Sequence, residues 1–295
     1  MDDAIGKIGI WTFQLDHVSV AEGRDAMAEL EDLGYGAVWI PEAVGRDPLV
    51  QAALLLEGGS TITLATGIAS LWARDAMAMA AGQKTVDTAY PRRFLLGIGV
   101  SHQPMVERVR GQEYVKPFSA MGAYLDAMDR APYFALQPEV AGRRVLAALG
   151  PKMLGLARDR SAGAHPYFVP PEHTAFAREV LGDGPLLAPE QAVIIETDPE
   201  RARALARAHM AIYLGLPNYA NNVKRFGFTD DDLADGGSDK LVDAIVAWGD
   251  IDAVVARVRQ HQDAGADHVC VQVLNDSPGS LPRAAWRELA AALID

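Results

Sequence analysis

Eight short apolar runs, each followed by a stretch with helical spacing, are what most restrict the fold of this chain. They are KIGIWTF from Lys7, GAVWIPE from Gly36, ITLATGIAS from Ile62, RFLLGIGV from Arg93, RRVLAALG from Arg143, GAHPYFV from Gly163, QAVIIET from Gln191 and DHVCVQVL from Asp267. A strand with one wet face alternates apolar and polar side chains. Strands that are apolar throughout are covered on both faces, as parallel strands between helices are. The intervening segments, among them VAEGRDAMAELEDLG, DAMAMAAGQKTVDTA and IDAVVARVRQHQDAG, are amphipathic, and several close on glycine as helix C-termini do. Eight such units in 295 residues fit a (β/α)8 TIM barrel better than an open doubly wound sheet. No linker or low-complexity tract divides the sequence, so residues 1–295 are expected to form one barrel domain, with aperiodic insertions at about 102–116 and 217–240.

Charge narrows the partners. Lys plus Arg total 27 against 39 Asp plus Glu, a formal charge of -12, so the protein's own field would oppose a nucleic acid or an anionic membrane. Neither is expected as a partner. No run reaches the roughly 18 apolar residues of a membrane span, and the N-terminus MDDAIGKIGIW is acidic, which points to a cytoplasmic protein. The single cysteine, Cys270, lies inside HVCVQVL and reads as a strand-core residue from a reducing compartment. The acid-rich TDDDLADGGSDK lacks glycine and the final acid at the offsets of a calcium loop, and reads as helix caps and a solvated turn. No HExxH, cysteine pair or triad order suggests a metal or serine hydrolase.

In a (β/α)8 barrel the chemistry gathers at the C-terminal ends of the strands. The stretch RFLLGIGVSH carries Gly97-x-Gly99, but its glycines lie within the run and no third glycine follows at His102, so it is no dinucleotide fingerprint. Gly97 and Gly99 share one face of the strand, where missing side chains would leave room for a flat ligand beneath Ser101 and His102. His102, with an imidazole suited to neutral pH, is the candidate acid or base. In the turn AALGPKM, Gly150 permits close approach and Pro151 suits a first helical position, which leaves the N–H groups of Lys152 and Met153 free for an anion beside the lysine charge. Other rim residues have plainer alternatives. Glu42 could contact a ligand or cap the helix near Pro48, Trp72 could wall a ring or pack as a lid, and Arg74 could be a surface charge. His165 reads as a satisfied interior histidine, and Glu172 and His173 as a polar loop pair.

In order, LGYGAVWIPEA, ITLATGIASLWARDAMAMAAGQKTVD, YPRRFLLGIGVSH and LAALGPKMLGLARDRSAGAHPYFVPPEHT resemble the luciferase-like monooxygenase superfamily, in its coenzyme F420-dependent oxidoreductase branch. The resemblance covers almost the whole chain and is densest from Leu64 to His102. It implies a deazaflavin or flavin across the barrel mouth, its ring against a bulge after the third strand, with a non-proline cis peptide at Gly67-Ile68. It places Glu42 as the acid after the second strand, Val100, Ser101 and His102 as contacts after the fourth, and Ala148, Leu149 and Gly150 at the phosphate turn. The family often has a histidine after that acid; here Ala43 stands in its place. The implied activity is hydride transfer between C5 of F420 and a small organic substrate, in a homo-oligomer, a dimer. The alternatives are an FMN-dependent monooxygenase and a non-catalytic flavin or deazaflavin binder.

Overall fold

Each of the eight apolar runs contributes to one parallel sheet in the computed structural model, which describes residues 5–277 and 279–294. The strands are β1 (Ile8–Trp11), β2 (Ala37–Ile40), β3 (Thr63–Thr66), β4 (Ala69–Ser70), β5 (Phe94–Gly99), β6 (Arg143–Leu146), β7 (Gly163–Ala164), β8 (Leu186–Leu187), β9 (Glu190–Ile195), β10 (Val246–Gly249) and β11 (Val269–Val273). Their order is β10-β9-β11-β1-β2-β3-β5-β6-β7-β8, with β4 beside β5. Only Ala188 and Pro189 separate β8 from β9, and this stretch closes the circle. Ala188 N–H donates to Ala164 O at 2.9 Å on one side, and Cys270 N–H donates to Pro189 O at 2.9 Å on the other.

Alternation along the strands builds two cores. Ile8, Ile10, Val38, Ile40, Leu64 and Leu96 point outward against the helices, while Trp11, Ala37, Trp39, Ala65, Leu95 and Cys270 fill the barrel. Large and small residues thus alternate inside, as a packed rather than hollow interior requires. Helices begin where short polar side chains cap them: Ser19, Asp47, Asp75, Asp198 and Asp250 each accept from a first-turn N–H. Thr229 and Asp232 form a reciprocal capping box, the capping role read for the acidic stretch.

The run ITLATGIAS is broken after Thr66, where the Gly67-Ile68 peptide is cis, the bulge and cis bond that the family resemblance implies. The structure departs from the sequence reading elsewhere. GAHPYFV is a strand only over Gly163–Ala164, because Pro166 has no N–H for the ladder and Phe168 turns to φ 60°. Val246–Gly249, β10, follows the helix Asp239–Ile245 without a break and pairs only with β9, so nothing local separates it from the helix before it. Of the aperiodic segments, the first holds a single π-turn, Met105–Val109, and the second carries the helices Pro217–Lys224 and Asp230–Leu233. No helix among the described residues is long and apolar enough to cross a membrane.

Candidate active site

The strand ends surround a cavity of about 700 Å³, within the roughly 300–1,000 Å³ range of small-molecule and cofactor sites. Its floor is built by the break in the third apolar run. Gly67 N–H donates to Ile40 O at 2.7 Å and Glu42 N–H to Ile68 O at 3.2 Å, so β2 holds the bulge from one side. From the other side Thr66 Oγ1 donates to Gly97 O at 2.7 Å and accepts from Gly97 N–H at 2.8 Å, replacing ladder bonds that the bulge removes.

This explains Gly97 and Gly99, and corrects their reading as room for a flat ligand. A Cβ on Gly97 would lie 1.9 Å from Thr66 O, and one on Gly99 would lie 2.4 Å from Ile68 Cδ1. The glycines admit the bulge itself. Ile68 lines the cavity, and the glycines leave room for its side chain beside β5.

Five of the ten expected site residues line the cavity: Glu42, Gly67, Ile68, Ser101 and His102. The carboxylate of Glu42 is already engaged. It accepts from Ser70 N–H at 2.7 Å and from both terminal nitrogens of Arg74, at 2.7 and 3.0 Å. Glu42 therefore pins the bulge to its neighbouring loop; the helix near Pro48 is capped by Asp47 instead. Arg74 is correspondingly buried, with 12% of its side chain exposed, and is no surface charge. Trp72 lies outside the cavity wall and donates its indole N–H to Val100 O at 2.8 Å, which accounts for Val100 without a ligand.

His102 stands at the rim with Nδ1 3.1 Å from Asn218 Oδ1. That oxygen only accepts, so Nδ1 carries the proton and Nε2 keeps its lone pair. Burial lowers the pKa of His102, opposed in part by the Asn218 bond. Burial thus favours the neutral imidazole over the imidazolium.

Ala148, Leu149, Gly150 and Lys152 fall outside the cavity, whose wall ends at Ala147. Gly150 precedes the helix Pro151–Arg160, with proline in its first turn and no side chain capping it. A Cβ on Gly150 would come within 3.1 Å of Arg225 Nη1, so an arginine that sequence reasoning did not single out stands over this turn. His173 is fully buried in the first turn of the helix Pro171–Leu181, and its Nε2 donates to Leu149 O at 2.9 Å. It shapes the turn from within and is not the loop residue expected.

Beneath the bulge, His165 donates from Nδ1 to Ala188 O at 2.7 Å and stacks on Trp39 at 4.3 Å. Burial lowers its pKa to about 4. Among the described residues its Nε2 and Trp11 Nε1 have no partner, and they lie against Gly67, where a Cβ would meet them at 3.0 and 2.5 Å. Of the remaining wall, Phe13 after β1 and Tyr167 after β7 lie at strand ends, where the site residues of a barrel are expected, whereas Trp11, within β1, and His209, Tyr213 and Tyr219, from the segment after β9, were not foreseen. Only the strand-end residues carried a positional signal; those on helices follow no motif.

A sequence profile of the luciferase-like monooxygenase family matches residues 8–268. The chain belongs to this family. A Mycobacterium tuberculosis member, provisionally named a coenzyme F420-dependent oxidoreductase, is 26% identical over 84% of this chain and 89% of its own. In fold, the family member described here is similar to the coenzyme F420-dependent tetrahydromethanopterin reductase of Methanopyrus kandleri, with a TM-score of 0.77 at 18% identity over 98% of each chain. It is also similar to the oxygenating constituent of 3,6-diketocamphane monooxygenase from Pseudomonas putida, a type II Baeyer-Villiger monooxygenase solved with FMN. There the TM-score is 0.69 at 15% identity, over 97% of this chain and 96% of the other.

Proposed function

We propose that the protein is a coenzyme F420-dependent oxidoreductase that transfers a hydride between C5 of the deazaflavin and a small organic substrate. The observation that carries the reading is a continuity: a broad cavity floored by Gly67 and Ile68 ends at Ala147, and the uncapped helix start at Gly150 follows directly. The first suits a flat ring system. The second suits a phosphate, because the first-turn N–H groups are unpaired and Arg225 and Lys152 add charge. Gly150 fits this role, since any side chain there would press on the Arg225 guanidinium. The mycobacterial relative supports the deazaflavin over FMN.

The bound deazaflavin would supply the hydride chemistry. The chain's own residues do the rest. Gly67 and Ile68 back the ring, Arg225 and Lys152 hold the phosphate, and the aromatic wall of Trp11, Phe13 and Tyr167 keeps water from the reacting face. His102, neutral and fixed by Asn218, takes a proton at Nε2.

Parallel titrations with F420 and FMN, followed by tryptophan fluorescence, test the reading. F420 is expected to bind at least about tenfold more tightly, a difference of about 1.4 kcal/mol. Equal affinities, or tighter FMN binding together with oxygen consumption in the presence of reduced FMN, would replace it with the monooxygenase reading that the FMN-bound neighbour favours.

A further inference from the structure

The cavity wall holds three tyrosines, and an account of their protons separates one from the others. Tyr167 Oη lies 2.9 Å from Gln272 Oε1, which can only accept, so Tyr167 donates there. Tyr213 Oη lies 2.8 Å from Tyr167 Oη, whose proton is already engaged, so Tyr213 donates to Tyr167. Among the described residues nothing accepts from Tyr219, although its side chain is 8% exposed and lines the cavity. Its ring is held on several sides, with centroids 5.4 Å from Phe168, 5.4 Å from Tyr213 and 5.2 Å from His102. The hydroxyl is thus a fixed donor without an acceptor.

Its neighbour supplies the complementary atom. Asn218, the residue before Tyr219 on the helix Pro217–Lys224, holds Nδ1 of His102 and leaves Nε2 as a bare acceptor. The two residues line one cavity with their rings 5.2 Å apart, so it holds one uncommitted O–H and one uncommitted ring nitrogen. A carbonyl oxygen accepts only, and takes the Tyr219 proton. An alcohol oxygen both accepts and donates, and engages both groups. The cavity walls nearby are aromatic and uncharged, with Arg108 the cation among the lining residues.

We propose that Tyr219 is the hydrogen-bond donor to the oxygen of a carbonyl substrate, or of the corresponding alcohol, carried on an aromatic or alicyclic body. The proposal deepens the hydride-transfer reading and rests on it for the reaction. As hydride reaches the carbonyl carbon, the C=O π electrons move to oxygen, and the alkoxide takes the Tyr219 proton to give the alcohol. The phenolate recovers a proton from solvent by way of His102 Nε2. In the reverse direction the hydroxyl proton leaves by the same route. Burial beside Tyr213 and Glu190 raises the pKa of Tyr219, so the phenol keeps its proton until an alkoxide, a far stronger base, forms.

The test uses 4-methylacetophenone labelled with carbon-13 at the carbonyl, with its stretching band read by difference infrared spectroscopy and its affinity by tryptophan fluorescence. Both are measured with and without F420. In the wild type the bound carbonyl band should lie below its position in hexane. Tyr219→Phe, which keeps the ring and its packing, should raise the band and weaken binding about fivefold, the effect of one neutral hydrogen bond. Tyr213→Phe, which removes a hydroxyl already engaged, should leave the band in place. An unmoved band in Tyr219→Phe, or no binding of the ketone to the wild type, overturns the proposal. If the band shifts as described while F420 fails to bind, the cofactor reading falls and the Tyr219 site stands.

Discussion

Glu190 opens β9 opposite Cys270 of β11 and is 2% exposed. Oε2 accepts from Phe168 N–H at 3.2 Å, while Oε1 has no partner among the described residues. Burial pushes this carboxyl from 4.5 up to about 8, against a smaller opposing pull from the Phe168 N–H. The native protein therefore holds a proton at neutral pH that the unfolded chain releases near its ordinary value. The stability linked to that proton is whole below the unfolded value and is lost as pH rises toward the folded one. Between pH 5 and pH 9 the loss from this one group amounts to about 4 kcal/mol. Glu190→Gln keeps the shape and the Phe168 bond but has no proton to lose. Its amide buries an additional N–H without an acceptor, so at pH 5 the variant should be less stable than the wild type by about 1–3 kcal/mol. Urea unfolding at pH 5, 7 and 9 reads the difference. The variant should gain on the wild type steadily and overtake it by pH 9. Unfolding curves whose separation stays constant to within about 1 kcal/mol would show that Glu190 titrates alike in both states, and would refute the burial argument.

His102→Ala should lower turnover about a hundredfold while far-UV circular dichroism stays native, because a rim imidazole is not core; intact turnover removes His102 from the chemistry. Since burial lowers its pKa, the acid limb of kcat/KM should fall below the ordinary histidine value of about 6.5, and Asn218→Ala, which deletes the bond favouring the charged form, should move that limb lower still. Gly97→Ala would place a methyl 1.9 Å from Thr66 O and should destabilise the fold by about 3 kcal/mol in urea unfolding; a neutral result would mean that the bulge is not locked to β5 as described. Lys152→Glu and Arg225→Glu should each weaken cofactor binding about tenfold at low salt and much less at 1 M salt, and unchanged affinity at low salt would make the turn an ordinary helix start.

The barrel was legible because its signal is repeated. Apolar runs of strand length between amphipathic helices recur around the circle, and the outward set of Ile8, Val38 and Leu64 with the inward set of Trp11, Ala37 and Ala65 is what such runs must provide. Of the strands that escaped, Val246–Gly249 exists through pairing with β9 alone, and its residues continue the apolar pattern of the preceding helix. Pairing partners distant in sequence leave no mark on the local period.

The site divides along the same line. Glu42, Gly67, Ser101 and His102 could be named because strand ends in a barrel converge, so position along the chain stands in for position in space. Their roles were harder to read, since a role depends on which lone pair or proton is already taken. Glu42 could be read as a ligand contact or a helix cap, and no pattern announced that Arg74 and Ser70 engage its oxygens; likewise the space above Gly97 looked vacant until Thr66 O filled it. Tyr219, Asn218 and Arg225 carry the opposite lesson. They lie within eight residues of one another in a segment without motif, yet they reach Nδ1 of His102, the open cavity and the turn at Gly150. All three lie on or just beyond the short helix Pro217–Lys224, so the least patterned part of the chain brings groups to His102, to the cavity and to the turn at Gly150 at once.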